Sequence, residues 1–189
     1  MPLSGKQIFL REIKQEDFPF FIKMRNDLET QAWNSILPPD YTLEMVKQRY
    51  NSREFSFDRT SATFVIEEIA SGNFVGSIAY SNLTKRFGCE IGIRILKDYW
   101  GSGYPIEAQE IILHFLFHEL GLRVVRLWTH SLNIRAIKLA QKIGFKIATR
   151  QREGLYRNGQ LVDNIGMDLL REEYYANHPE LKDNLPTLK

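Results

Sequence analysis

The sequence predicts a mixed α+β fold in one domain, and three observations carry the prediction. Strand and helix patterns follow one another in the order β α α β β β α β α β β, so only part of the chain can form a parallel βαβ unit. The stretch Glu90 to Ala108 changes period within a few residues, from alternating strand to glycine turn to helix. No internal repeat, low-complexity run or linker divides the 189 residues, a length suited to a single domain with a sizeable core.

Taken in order, Gln7 to Ile13 is a first strand with Ile8, Leu10 and Ile13 turned inward. Glu16 and Asp17 open a helix through about Leu28, acidic residues being favoured at the positive end of its dipole. Pro38-Pro39 closes a loop, and Thr42 caps a second helix through about Tyr50, with Leu43, Val46 and Tyr50 on one face. Asn51 to Ser61 is polar and irregular. Ala62 to Ile69 and Phe74 to Tyr80 flank Ser71-Gly72-Asn73 as a hairpin.

Ile91, Ile93 and Ile95 then alternate with Glu90, Gly92 and Arg94 in a strand whose two faces differ chemically. Gly101 and Gly103 make a tight turn, Pro105 suits a first helical turn, and Ala108, Ile111, Ile112, Phe115 and Leu116 recur at helical spacing. A strand, a glycine turn and a helix N-terminus in this order make an anion site from free amides and the helix dipole. Gly121 ends that helix, and Arg123 to Thr129 is a strand. Asn133 caps a short helix that Gly144 ends. Phe145 to Arg150 begins a strand, Asn158-Gly159 is a turn, and Leu161 to Leu170 is the last strand. A short helix and tail follow from Arg171.

Composition narrows the class. A hydrophobic fraction of 43%, a charged fraction of 25% and a net charge of +2 fit a soluble globular protein and favour no nucleic-acid partner. One cysteine, Cys89, excludes an intrachain disulfide and fits a reducing compartment. No apolar run reaches membrane-spanning length, and the first residues carry no secretory signal. These features set the expectation of a cytoplasmic protein, with no membrane or nucleic-acid partner, as a monomer or homodimer.

The order of elements, with Trp100-Gly101-Ser102-Gly103-Tyr104 at the strand-to-helix turn, resembles the GNAT N-acetyltransferase superfamily. A second signature agrees: Asn133-x-x-Ala136-x-x-Leu139-Ala140-x-Lys142-x-Gly144-Phe145. So does the Arg157-Asn158-Gly159 turn before Asp163 and Met167. The chain is most similar to the ribosomal-protein N-terminal acetyltransferase branch, which also holds polyamine, amino-sugar and antibiotic acetyltransferases.

The resemblance spans about Ile8 to Tyr175 and implies one domain over residues 1–189, with a core of about 7–175 and a tail from 176 to 189. It implies three layers: a mixed, mostly antiparallel sheet of seven strands flanked by helices, with acetyl-CoA in the splay between the central strands. The implied reaction moves an acetyl group from acetyl-CoA to a primary amine by direct attack in a ternary complex, without a metal. The acceptor is a small-molecule amine or a protein N-terminus.

The resemblance also assigns residues. The amides of Gly101, Ser102, Gly103 and Tyr104 hold the pyrophosphate, with Pro105 and Ile106 opening the helix. Ile93, Arg94 and Ile95 pair with the pantetheine amides like an added strand, and Asn133 and Ala136 hold the pantetheine arm. Trp33, Asn34 and Tyr41 border the acceptor. Trp100 and Pro105 depart from the general pattern, Pro105 removing one amide donor.

Acetyl transfer needs a deprotonated amine, a polarised thioester carbonyl and a stabilised leaving thiolate. Glu90 is the candidate base; its alternative is an ion pair with Arg94. A backbone amide near Ile95 is the family-like group for the carbonyl. The family's tyrosine acid falls on Ala140, and the serine of the ribosomal branch on Ala136, so Ser131, Thr129 and Tyr104 are the positional substitutes. The missing acid motivates an alternative: a non-catalytic acyl-CoA-binding or regulatory domain on the same fold. His114 and His118, with Glu110 one turn earlier, read as polar residues on a helix flank, and Cys89 as a packed side chain. Arg150, Arg152 and Arg157 form a basic cluster that suits a solvated strand edge, an acidic substrate or the cofactor's 3′-phosphate.

Overall fold

The computed structural model describes residues 3–33, 40–51, 60–157 and 159–184. Its strands are β1 (Leu3–Ser4), β2 (Ile8–Arg11), β3 (Ala62–Glu68), β4 (Phe74–Thr84), β5 (Gly88–Ile95), β6 (Val124–His130), β7 (Lys146–Arg157) and β8 (Gln160–Leu170). They form one sheet in the order β1-β2-β3-β4-β5-β6-β8-β7. Every neighbouring pair is antiparallel except β5 and β6. The sheet thus has the seven expected strands and an eighth of two residues, too short to show an alternating pattern.

The α-helices are α1 (Phe18–Asn26), α2 (Leu28–Trp33), α3 (Leu43–Asn51), α4 (Tyr104–His114), α5 (Ile134–Ile143) and α6 (Arg171–Asn177). A π turn over Phe115–Glu119 prolongs α4. The predicted single helix from Glu16 breaks at Asp27, whose ψ of 114° is extended. Its carboxylate accepts from the Thr30 amide at 2.6 Å and so caps α2. Thr42 caps α3 as expected, its hydroxyl accepting from the Met45 amide at 3.3 Å. The predicted turn residue Asn158, the Pro38-Pro39 loop and most of the irregular stretch 51–61 lie outside the described residues.

The strand predicted to start at Phe145 runs to Arg157. Its residues are mostly exposed, so no apolar alternation betrays its length. The register shifts between Gln151 and Leu155, where Glu153 takes a φ of +52°.

Alternation along β5 divides the molecule into three layers. Cys89, Ile91 and Ile95 face a core shared with Ala108, Ile112 and Leu116 from the α4 layer and with Ala140, Ile143, Tyr174 and Tyr175. On the opposite face, Val65, Phe74 and Leu96 pack against Phe18, Phe21 and Met24 of α1 and Val46 of α3. Glu90, Gly92 and Arg94 point to this second face by strand alternation.

Candidate active site

The β5–β6 ladder is short. It pairs Gly88 with Val124, Cys89 with Val125 and Glu90 with Arg126, and then stops. Past Glu90, β5 stays with β4, while β6 stays with β8 as far as His130. Beyond that pair the two strands part. The opening is a cleft of about 740 Å³ lined by Ile91 to Ile95 on one wall and Leu127 to His130 on the other.

The backbone of β5 faces this opening at alternate residues. Leu96 donates its amide to the Val75 carbonyl at 2.9 Å, so the even-numbered residues spend their amides on β4. The amides of Ile91, Ile93 and Ile95 therefore point into the splay. Trp100 closes one end: its indole N–H donates to the Ile95 carbonyl at 3.1 Å, and Arg135 lies over its ring at 4.0 Å. This dual role explains a tryptophan where the family pattern has another residue.

Gly103 is the N-cap of α4 with a φ of +90°, a conformation that disfavours any residue with a Cβ. Open space lies where a Cβ at Gly101 or Gly103 would stand, so a ligand can approach the main chain there. Gly101, Gly103, Pro105 and Ile106 line the cleft, with Ile93, Arg94, Ile95, Asn133 and Ala136.

Ser102 and Tyr104 differ from expectation. The Ser102 amide donates to the Tyr99 carbonyl at 3.4 Å, and the Ser102 hydroxyl accepts from the Tyr104 amide at 3.2 Å. These two amides serve the turn itself, and neither residue lines the cleft. Arg94 also differs. Its main chain pairs with Ser77, so its side chain, not its amide, is what it brings to the cleft.

Asn133 caps α5 by accepting from the Ala136 amide at 3.2 Å. Replacing it by alanine is expected to cost about 1 kcal/mol, read as a lowered Tm, by stranding that amide.

Glu90 stands one residue before the splay, outside the cleft wall. Its carboxylate accepts from the Asn82 side chain at 3.3 Å rather than pairing with Arg94. Gly92, next on its face, leaves open space between Glu90 and Arg94. Ala140 lines the cleft where a tyrosine is usual, so the wall offers no phenol there. Of the substitutes, Thr129 lines the cleft and Ser131 does not, while the Tyr104 hydroxyl donates to Glu68. That hydrogen bond raises the Tyr104 pKa and commits its proton to Glu68, away from the cleft lining.

The Cys89 thiol is buried, which pushes it up to about 12 and keeps it from acting as a nucleophile. The His118 Nδ1 lies 3.4 Å from the Tyr175 hydroxyl, and His178 Nε2 lies 3.3 Å from a Glu110 carboxylate oxygen. Among the described residues no three metal-ligating side chains converge.

Asn34 lies outside the described residues, as does the side chain of Trp33. Tyr41 is fixed against α1: Asn26 accepts from its amide at 2.9 Å and donates to its carbonyl at 2.8 Å. Arg25 and Arg49 lie 5.1 and 6.0 Å from the centre of its ring. Tyr41 is not among the residues that line the cleft. Sequence reasoning missed Thr30, Gln109, Trp128 and Asn164, all of which line the cleft. Thr30 and Gln109 are buried polar residues, a signal that only burial reveals.

A splayed parallel pair whose strand-edge amides share a cleft with a glycine turn and a helix N-terminus is suited to an extended ligand with a phosphate tail. The chain belongs to the GNAT acetyltransferase family: the acetyltransferase (GNAT) domain matches residues 7–146. It is therefore an enzyme, and the family's acetyl donor is acetyl-CoA. The SPbeta prophage-derived N-acetyltransferase YokL of Bacillus subtilis is 26% identical over 93% of this chain and 96% of its own length. YdaF of the same organism, named for a ribosomal N-acetyltransferase, is 31% identical over 54% of this chain and 57% of its own. A spermidine N-acetyltransferase from Vibrio cholerae, solved with CoA and spermine, shares the fold with a TM-score of 0.81 at 22% identity, covering 90% of this chain and 99% of that one.

Proposed function

We propose that the protein transfers an acetyl group from acetyl-CoA to a primary amine of a small molecule or a protein N-terminus, by direct attack in a ternary complex. The observation that carries this reading is the ladder break after Glu90, which leaves the β6-side amides of Ile91, Ile93 and Ile95 without a strand partner along the cleft that the glycine turn of α4 also lines. The YdaF likeness supports a peptide amine, and the Vibrio cholerae likeness a small polyamine.

The donor supplies an activated thioester. The amides of Gly101 and Gly103, with the N-terminus of α4, hold its pyrophosphate. The edge of β5 at Ile93 pairs with the pantetheine arm, which Asn133 and Ala136 border on the far side. The Ile95 amide polarises the thioester carbonyl; its own carbonyl is already taken by Trp100, which fixes the peptide plane.

Glu90 takes the amine proton through water in the gap over Gly92, since a direct route is closed by its place before the splay. The leaving thiolate needs no tyrosine, because it is a stable anion. Glu90→Gln is expected to lower kcat about 100-fold at neutral pH, with the acetyl-CoA dissociation constant unchanged. Equal kcat values for the two forms in a thiol-release assay would remove Glu90 from the mechanism.

A further inference from the structure

Among the described residues, the charged side chains that line the cleft are all cationic. Arg94 and Arg157 both line it, and each has its Nε buried without a hydrogen-bond partner. Such a buried guanidinium nitrogen is costly unless something accepts from it. Arg94 lies on the α1 and α3 face of β5, and Arg25 and Arg49 reach its neighbourhood around Tyr41. Burial, reinforced by those two arginines, pushes the Arg94 guanidinium down to about 10, still protonated at neutral pH. No carboxylate lines the cleft among the described residues. A polyamine carries several positive charges and would meet like charge along this described lining.

We infer that the acceptor is an amine bearing an anionic oxygen group, a carboxylate or a phosphate, which Arg94 and Arg157 receive while the amine meets the thioester. The inference rests on the acetyltransferase reading above and narrows its substrate. Arginine suits this task because its planar donors match the paired oxygens of either anion. Facing Glu90 across Gly92 on the same strand face, Arg94 would set the anionic end at one side of the gap and the amine toward the other.

The test compares matched amines in the thiol-release assay: 4-aminobutyrate and β-alanine against their primary amides, 2-aminoethyl phosphate, and spermidine. The acids are expected to exceed their amides in kcat/KM by about 10- to 100-fold, the range of a hydrogen bond to a charged group. The phosphate arm separates the two anion classes. Arg94→Gln and Arg157→Gln, made separately in case one fails to fold, are each expected to shrink the acid-to-amide ratio at least threefold. Calorimetry should show weaker binding of the acetylated acid product, with acetyl-CoA affinity kept. Equal use of acids and amides, or preference for spermidine, overturns the charge assignment and leaves the acetyltransferase reading standing. A ratio unmoved in both variants also overturns it. If no amine accelerates thiol release, the acetyltransferase reading itself fails, and the inference with it.

Discussion

Ala136→Trp is expected to weaken acetyl-CoA binding at least about 100-fold, near 2.7 kcal/mol. Ala136 lies in the first turn of α5 beside the Asn133 cap and faces the space between the splayed strands. A tryptophan there occupies the path along β5. It denies the strand edge a partner and fills the apolar wall formed with Leu139 and Ala140. Because Ala136 is only half-buried and opens on the cleft, the added ring enters empty space rather than a packed core. The fold should survive, with thermal unfolding close to that of the parent. Calorimetric titration with acetyl-CoA checks the prediction; a dissociation constant within threefold of the parent value would place the donor elsewhere.

Asp17→Ala is expected to have the largest effect on stability, about 3–5 kcal/mol. Arg11 on β2 donates through both terminal nitrogens to the two Asp17 oxygens, each at 2.8 Å, and its Nε bonds Glu67 on β3. The Asp17 side chain is 2% exposed and that of Arg11 13%. The Lys14 amide also donates to Asp17 at 2.7 Å, so this carboxylate ties the start of α1 to the sheet. Asp17 and Glu67 raise the Arg11 pKa further, so the cation persists across the whole working pH range. Removing Asp17 leaves that cation with Glu67 alone and strands an amide. For a chain of this length the loss corresponds to a fall in Tm of about 6–20 °C. A thermal melt checks it, and a Tm within 2 °C of the parent would show that Glu67 alone suffices.

Much of the fold was legible because the core writes itself as pattern. The alternating isoleucines of β5 and the helical spacing of Ala108, Ile112 and Leu116 each mark a buried face. The glycine turn and the Asn133 cap were legible for a different reason: few residue types satisfy their backbone geometry. The full length of β7 escaped because its mostly exposed residues obey no periodicity, and the Asp27 break because its cap bond sits inside a helical pattern. In the site, sequence located the cleft but not its boundary. Glu90 and Ile91 are adjacent in sequence, yet the ladder closes at one and opens at the next, a matter of which strand β6 follows. Ser102 and Tyr104 matched the motif as types, but their amides serve the turn. Arg94 entered as a backbone partner of the donor; its main chain pairs with β4 instead, and it lines the cleft with its Nε buried.

The central claim is that the β5–β6 splay brings an acetyl thioester to an amine. Its most direct test is mass spectrometry of amines incubated with the enzyme and acetyl-CoA labelled with ¹³C in the acetyl group. Label is expected in an amide of at least one primary amine, formed only with enzyme and suppressed by Ala136→Trp. Acetyl-CoA that binds tightly while its label stays on the thioester, or appears only as free acetate, would contradict it.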